Sequence, residues 1–344
     1  MNNYLSTKIK FISFITMIMV LFIHSFNSTL YPNELILPNH YATDIQNFIS
    51  FHVCRIAVPF FFILSGFLFA YNFDLTLKNY LEKLKSRFKS LVIPYVLWVV
   101  LWTSFFYILS NLSVTKSFIN SPLSIQNFTF TSFISIFESP ICYQFWFIKD
   151  LIFLVLFSPL FLILVKKIPP LVLGFLYVNL VYWNYDLLFF SNLAVFYFAV
   201  GLFLALNFNK ILAIKINIHF AIIGIVWILL YFANRFEITV YFIPLIILTG
   251  LYFVWKLYDV VNQESSIYLR LTKWASFSFF LFALHEPILI SLKKLGFAIL
   301  GKTPSVSLIL YFSLPFFVFA FSIFIGFLTK KFVPNIFKVL TGGR

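Results

Sequence analysis

The sequence predicts an all-α integral membrane protein of about ten transmembrane helices, with both termini cytoplasmic. Three observations predict it. Of 344 residues, 62% are hydrophobic and only 10% are charged, whereas a soluble domain carries about 25% charged residues. Ten apolar runs approach the roughly 20 residues that a helix needs to cross a hydrocarbon core about 30 Å thick. Lys and Arg gather on one side of those runs. The net charge of +14 would suggest nucleic acid in a soluble protein. Here it follows the positive-inside rule, and no nucleic-acid partner is expected. Two cysteines exclude a disulfide framework and a Cys-based zinc site, and no metal is expected.

The first run, 9–26, follows Lys8 and Lys10 and lacks a small-residue cleavage site, so it reads as a retained signal anchor. The second and third are 48–71 and 88–111, joined by a segment rich in Lys and Arg. The fourth, 143–165, ends at Lys166 and Lys167. The fifth and sixth, 168–185 and 187–206, are divided only by a short Trp183-Asn184-Tyr185-Asp186 stretch. The last four are 211–233, 238–256, 274–293 and 306–329. The longest loop, about 112–142, is too short to fold alone, so residues 1–344 read as one membrane domain with no appended soluble domain. With a cytoplasmic N-terminus, the inner segments hold 18 Lys and Arg and the outer loops hold 5, which decides the orientation. Lys293, Lys294 and Lys302 in the last outer loop are the local exception.

Some charges fall inside the runs, where an ionisable residue is a functional-site hypothesis by default. They are His24, His52, Arg55, Lys149, Asp150, His285 and Glu286. At about 1.5 Å per residue, Arg55 lies about 10 Å deep and His285 about 17 Å along its run. All seven fall in the outer half and are mixed in sign, which suggests one polar cavity opening outward. Structural readings stand beside this one. Lys149 and Asp150 point about 100° apart on a helix, and one of them equally serves to neutralise Arg55 or Glu286. His52 is expected to snorkel or face water. Trp146 suits an aromatic belt. A lone His at a helix end, such as His24, is equally an interfacial residue.

Two function classes use such a set. A transferase would use one imidazole as general base on a hydroxyl, with a cation stabilising the oxyanion. A proton-coupled transporter, or a flippase for a glycan or lipid, would use the same residues as a relay. Transporters favour internal repeats and paired helix breaks, and the sequence has neither.

The polar positions also follow a known pattern, in order along nearly the whole chain. The first run ends Phe22-Ile23-His24-Ser25. The second contains Arg55-Ile56-Ala57-Val58-Pro59-Phe60-Phe61-Phe62-Ile63-Leu64-Ser65-Gly66. Arg87 precedes Pro94-Tyr95, and Trp146-Phe147-Ile148-Lys149-Asp150-Leu151 opens the fourth run. Phe196-Tyr197-Phe198-Ala199-Val200-Gly201 and Leu284-His285-Glu286-Pro287 complete the set. In these motifs the chain resembles the acyltransferase 3 membrane proteins, which O-acylate, mostly O-acetylate, bacterial cell-surface glycans.

The resemblance implies a multi-pass protein of the bacterial inner membrane. It implies acetyl-CoA, or another acyl-CoA, as cytoplasmic donor and a glycan or lipid-linked glycan as acceptor. His24 becomes the expected base or transient acyl carrier. Arg55 would bind the carbonyl or fix the acceptor, and His285, Glu286 and Asp150 would orient or tune the imidazole. Trp146 and Lys149 are expected at the substrate, and Arg87 at the donor. The family usually has Arg eleven residues before the first-helix His; this chain has Ser13 there. Lys10, one turn earlier, is the expected stand-in at the donor site. Some members carry an extracytoplasmic hydrolase-like domain. Without one, transfer finishes in the membrane domain or on a separate extracytoplasmic transferase partner.

Overall fold

A computed structural model describes residues 3–27, 41–111, 130–187, 190–213, 219–233 and 241–343. Residues 28–40 of the expected outer loop, and Lys116, Lys215, Arg235 and Arg344 of the charge count, lie outside the described residues. The described chain is helical, apart from turns and one antiparallel bridge between Leu187 and Phe190.

In chain order the helices are α1 (Asn3–Ser25), α2 (Tyr41–Ala70), α3 (Leu77–Asn111), α4 (Phe130–Glu138), α5 (Trp146–Leu156), α6 (Ser158–Lys167) and α7 (Pro169–Trp183). They continue as α8 (Asn192–Leu206), α9 (Phe208–Ala213), α10 (Phe220–Ala233), α11 (Ile243–Tyr258), α12 (Ser266–Leu300), α13 (Pro304–Phe332) and α14 (Pro334–Leu340). Short polar side chains start several of them. Thr76, Ser191, Ser265 and Thr303 each accept a hydrogen bond from the backbone N–H three residues on, satisfying a donor that the first helical turn leaves free.

Each of the ten apolar runs has a helical counterpart, but they differ in reach. By length and composition α1, α2, α3, α12 and α13 can cross a membrane. The fourth run is a broken span. The segment Tyr143–Leu156 meets α6 at a 65° bend, where Pro159 enters the first turn of α6 and has no N–H to continue the ladder of α5. Helices α7, α8, α10 and α11 are shorter, within 10–17 residues, below the roughly 20 of a full span. The short divide read at 183–186 is wider, since Asn184 turns left-handed (φ 53°) and α8 starts at Asn192. The ninth run is longer than expected. It continues to Leu300 and carries Lys293 and Lys294 inside α12, so these two are not loop charges.

The closest helix pair is α2 with α8, and glycine makes it possible. A Cβ on Gly66 would run into the carbonyl oxygen of Phe198, and one on Gly201 into that of Ile63. Helix α1 packs against α2, α12 and α13, with Met17, Val20 and Leu21 meeting Ala57, Leu281, Leu289 and Val318. A buried polar network fastens the end of α1 that carries His24. Asn27 Nδ2 donates to the Ser307 carbonyl (3.0 Å), and Gln46 Nε2 to Ser307 Oγ (2.8 Å). Ser25 Oγ donates to the Tyr311 carbonyl (3.0 Å). Every member has a partner, as buried polar groups require. At the other end, Lys8 is buried beside the Trp255 ring and pairs with Asp259 at 2.5 Å.

Candidate active site

The central pair is His24 with His285. The rings stand 4.9 Å apart, centroid to centroid, edge to face, and Tyr143 flanks His24 at 6.2 Å. His285 is fully buried. Its Nδ1 lies 2.7 Å from the Phe282 carbonyl oxygen. A carbonyl only accepts, so in the neutral ring Nδ1 carries the proton and Nε2 keeps a free lone pair. That Nε2 is buried and has no partner.

Helix α12 is opened at this level by Pro287. Proline has no N–H and removes the hydrogen bond to the carbonyl four residues earlier, which is Ala283. Two side chains satisfy the freed oxygen: Trp102 Nε1 at 2.9 Å and Gln144 Nε2 at 3.4 Å. With its amide nitrogen turned to Ala283, Gln144 keeps Oε1 free of any partner although the residue is 2% exposed.

His24 lines a cavity of about 110 Å³ together with Gln144, Trp146, Phe282, Ser278 and Leu91. A second cavity, of about 380 Å³, is lined by Lys85, Arg87 and again Leu91. Leu91 sits in a π-helical turn, Phe88–Val92, that interrupts α3; such turns recur at functional sites. The two cavities therefore share one wall residue, the buried Leu91. One is lined by the His24 imidazole and the other by a pair of cations. Among the described residues no three His, Cys, Asp or Glu side chains gather as a metal site.

The other expected site residues are distributed differently. Glu286 follows His285 and is 8% exposed. Asp150 is buried, but its Oδ2 accepts from the Ser191 N–H at 2.9 Å and so caps α8 instead of meeting either imidazole. Lys149 donates to the Glu138 carbonyl at 3.1 Å. Arg55 lies in the 3-10 turn Cys54–Ile56 of α2, is exposed, and has the Tyr197 phenol as its electrostatic neighbour.

Lys10 is exposed near the start of α1. The buried cation there is Lys8, which is committed to Asp259. Burial pushes the Asp259 carboxyl up, but hydrogen bonds from Lys8 and Tyr4 outweigh that effect and hold it below its ordinary value. His52 does not face water. It is buried among the rings of Phe48, Trp227 and Tyr231.

Sequence reasoning missed Lys293, Gln144 and Leu91. Lys293 had a signal: the apolar run resumes after Lys294 as Leu295-Gly296-Phe297-Ala298-Ile299-Leu300, so the helix had no reason to stop. Gln144 and Leu91 had none, because their roles depend on Pro287 and on the placement of two cavities either side of Leu91.

A family model described as an acyltransferase domain, that of the acyltransferase 3 family, matches residues 9–331. The succinoglycan biosynthesis protein ExoH of Rhizobium meliloti is 22% identical over 356 residues, covering 100% of this chain and 94% of that relative. No solved structure matches.

Proposed function

Because the chain belongs to the acyltransferase 3 family, whose model spans residues 9–331, we propose that it moves an acetyl group from cytoplasmic acetyl-CoA to a hydroxyl of a cell-surface or lipid-linked glycan. The glycan acceptor is in keeping with the relative named for succinoglycan biosynthesis. The observation that carries the reading is the pair of cavities that share Leu91 as a wall, one beside Lys85 and Arg87 and the other lined by His24. CoA carries several phosphate charges, and Arg87 offers a planar fork and Lys85 a point charge for them.

In this reading His24 takes the proton of the acceptor hydroxyl as its oxygen attacks the thioester carbonyl carbon. The C–S bond then breaks, and the imidazolium returns the proton to the departing CoA sulfur. His285, edge to face against the His24 ring, orients it by contact. Glu286 supplies negative charge beside the pair. Arg55 and Lys149 contact the acceptor nearer the outer surface, Trp146 lines its path, and Asp150 acts indirectly by fastening α8 to α5. Both termini face the cytoplasm, with the helices in a bacterial inner membrane.

The test is the acyl content of surface glycans and lipid-linked glycans, by mass spectrometry, in a deletion strain carrying the gene or an empty vector. The expected result is one acetyl mass increment that depends on the gene. No acyl difference on any glycan or lipid would overturn the reading and favour transport without covalent chemistry.

A further inference from the structure

We infer that Lys293 is a positioning residue for His24, an inference that rests on the acyl-transfer reading. Its ammonium donates to the His24 carbonyl at 2.8 Å and to the Phe26 carbonyl at 3.1 Å. Helix α1 ends at Ser25, so these carbonyls belong to the turn where a helix runs out of its own donors. A cation there also meets the negative end of the helix dipole. Lys293 is 3% exposed. Burying an ammonium carries a large desolvation penalty, which the His24 and Phe26 carbonyls offset by accepting its hydrogen bonds.

The geometry explains what is fixed. His285 and Lys293 are both on α12. One meets the His24 ring and the other holds the His24 carbonyl. Two points of contact from a single helix set both the position and the rotation of the last turn of α1. Glu286, seven residues before Lys293, is its opposite charge on the same helix. A neutral side chain at 293 would leave α1 packed through its apolar face while the imidazole loses its orientation. An error of about 1 Å in such a group can cost on the order of 10²-fold in rate.

The experiment compares wild type, Lys293→Met and Lys293→Arg in membrane vesicles, using acetyl-CoA labelled in its acetyl group. Turnover and donor KM are measured alongside the thermal midpoint of the purified protein. Lys293→Met should lower kcat about 10- to 100-fold with donor KM and thermal midpoint little changed. Lys293→Arg, which can also donate to two carbonyls, should recover most of the rate. Wild-type kcat in Lys293→Met would overturn the inference, as would equal loss of rate and thermal midpoint in both variants. A second readout does not need activity. In protein labelled with ¹⁵N-histidine, the His24 ring signal, assigned by its absence from His24→Ala, should move in Lys293→Met while that of exposed His219 stays. An unmoved His24 signal would sink the positioning role. Absence of transfer by the wild type would instead sink the acyl-transfer reading.

Discussion

His24 and Glu286 have separable roles, and their variants should differ in degree. A positioned base contributes on the order of 10²–10⁴-fold, and sugar hydroxyls are poor nucleophiles without one. His24→Ala is therefore expected to abolish glycan acylation while the protein still accumulates, whereas Glu286→Gln removes a nearby charge and should impair it less. Glycan acetyl content by proton NMR measures both. Asp150 makes a different prediction. Asp150→Ala leaves the Ser191 N–H without its 2.9 Å partner, which should cost about 1–3 kcal/mol and lower the thermal midpoint in detergent. A full-length, equally stable variant that lacks activity would return Asp150 to the catalytic group. At this scale the sequence was legible where a motif names a residue: His24 and His285, far apart in the chain, do meet. It was not legible where a side chain serves a distant backbone. Nothing local marks Asp150 as the cap of α8, or Lys293 as the cap of α1.

Between elements, the tightest constraint is the crossing of α2 and α8. Gly201→Val would drive a side chain into the Ile63 carbonyl, and overpacking of this kind typically costs about 1–3 kcal/mol. The expected result is a lower thermal midpoint and less protein in the membrane. Leu91 makes the functional prediction. Leu91→Trp adds bulk to the wall that the two cavities share, so transfer should fall while binding of CoA at Arg87, measured by calorimetry, is retained. Full activity in Leu91→Trp would remove the shared wall from the donor route. The apolar runs were legible from composition alone, because hydrophobic length is the dominant signal in a membrane chain. The breaks were less so. Pro159 accounts for the 65° bend after α5 but lies inside what reads in the sequence as one run, 143–165, and the π-helical turn that contains Leu91 has no comparable sequence mark.

Over the whole molecule, transfer from a cytoplasmic donor requires the donor cations and the imidazoles to face opposite sides of the membrane. The charge count predicts this arrangement, with Lys78, Lys83, Lys85 and Arg87 inside and the 27–47 loop, which has no Lys or Arg, outside. Single cysteines introduced as Ser28→Cys or Asn79→Cys, in a background with Cys54 and Cys142 replaced, test it with an impermeant maleimide on intact cells. Labelling of the Ser28→Cys protein but not of Asn79→Cys is expected, and the reverse would invert the orientation. One measurement joins topology to chemistry. Acetyl-CoA labelled in its acetyl group is supplied only to the cytoplasmic face of sealed membrane vesicles, and label on glycan or lipid-linked glycan is counted for wild type and His24→Ala. Transfer by the wild type and none by His24→Ala is the expected result; equal transfer by both would contradict it.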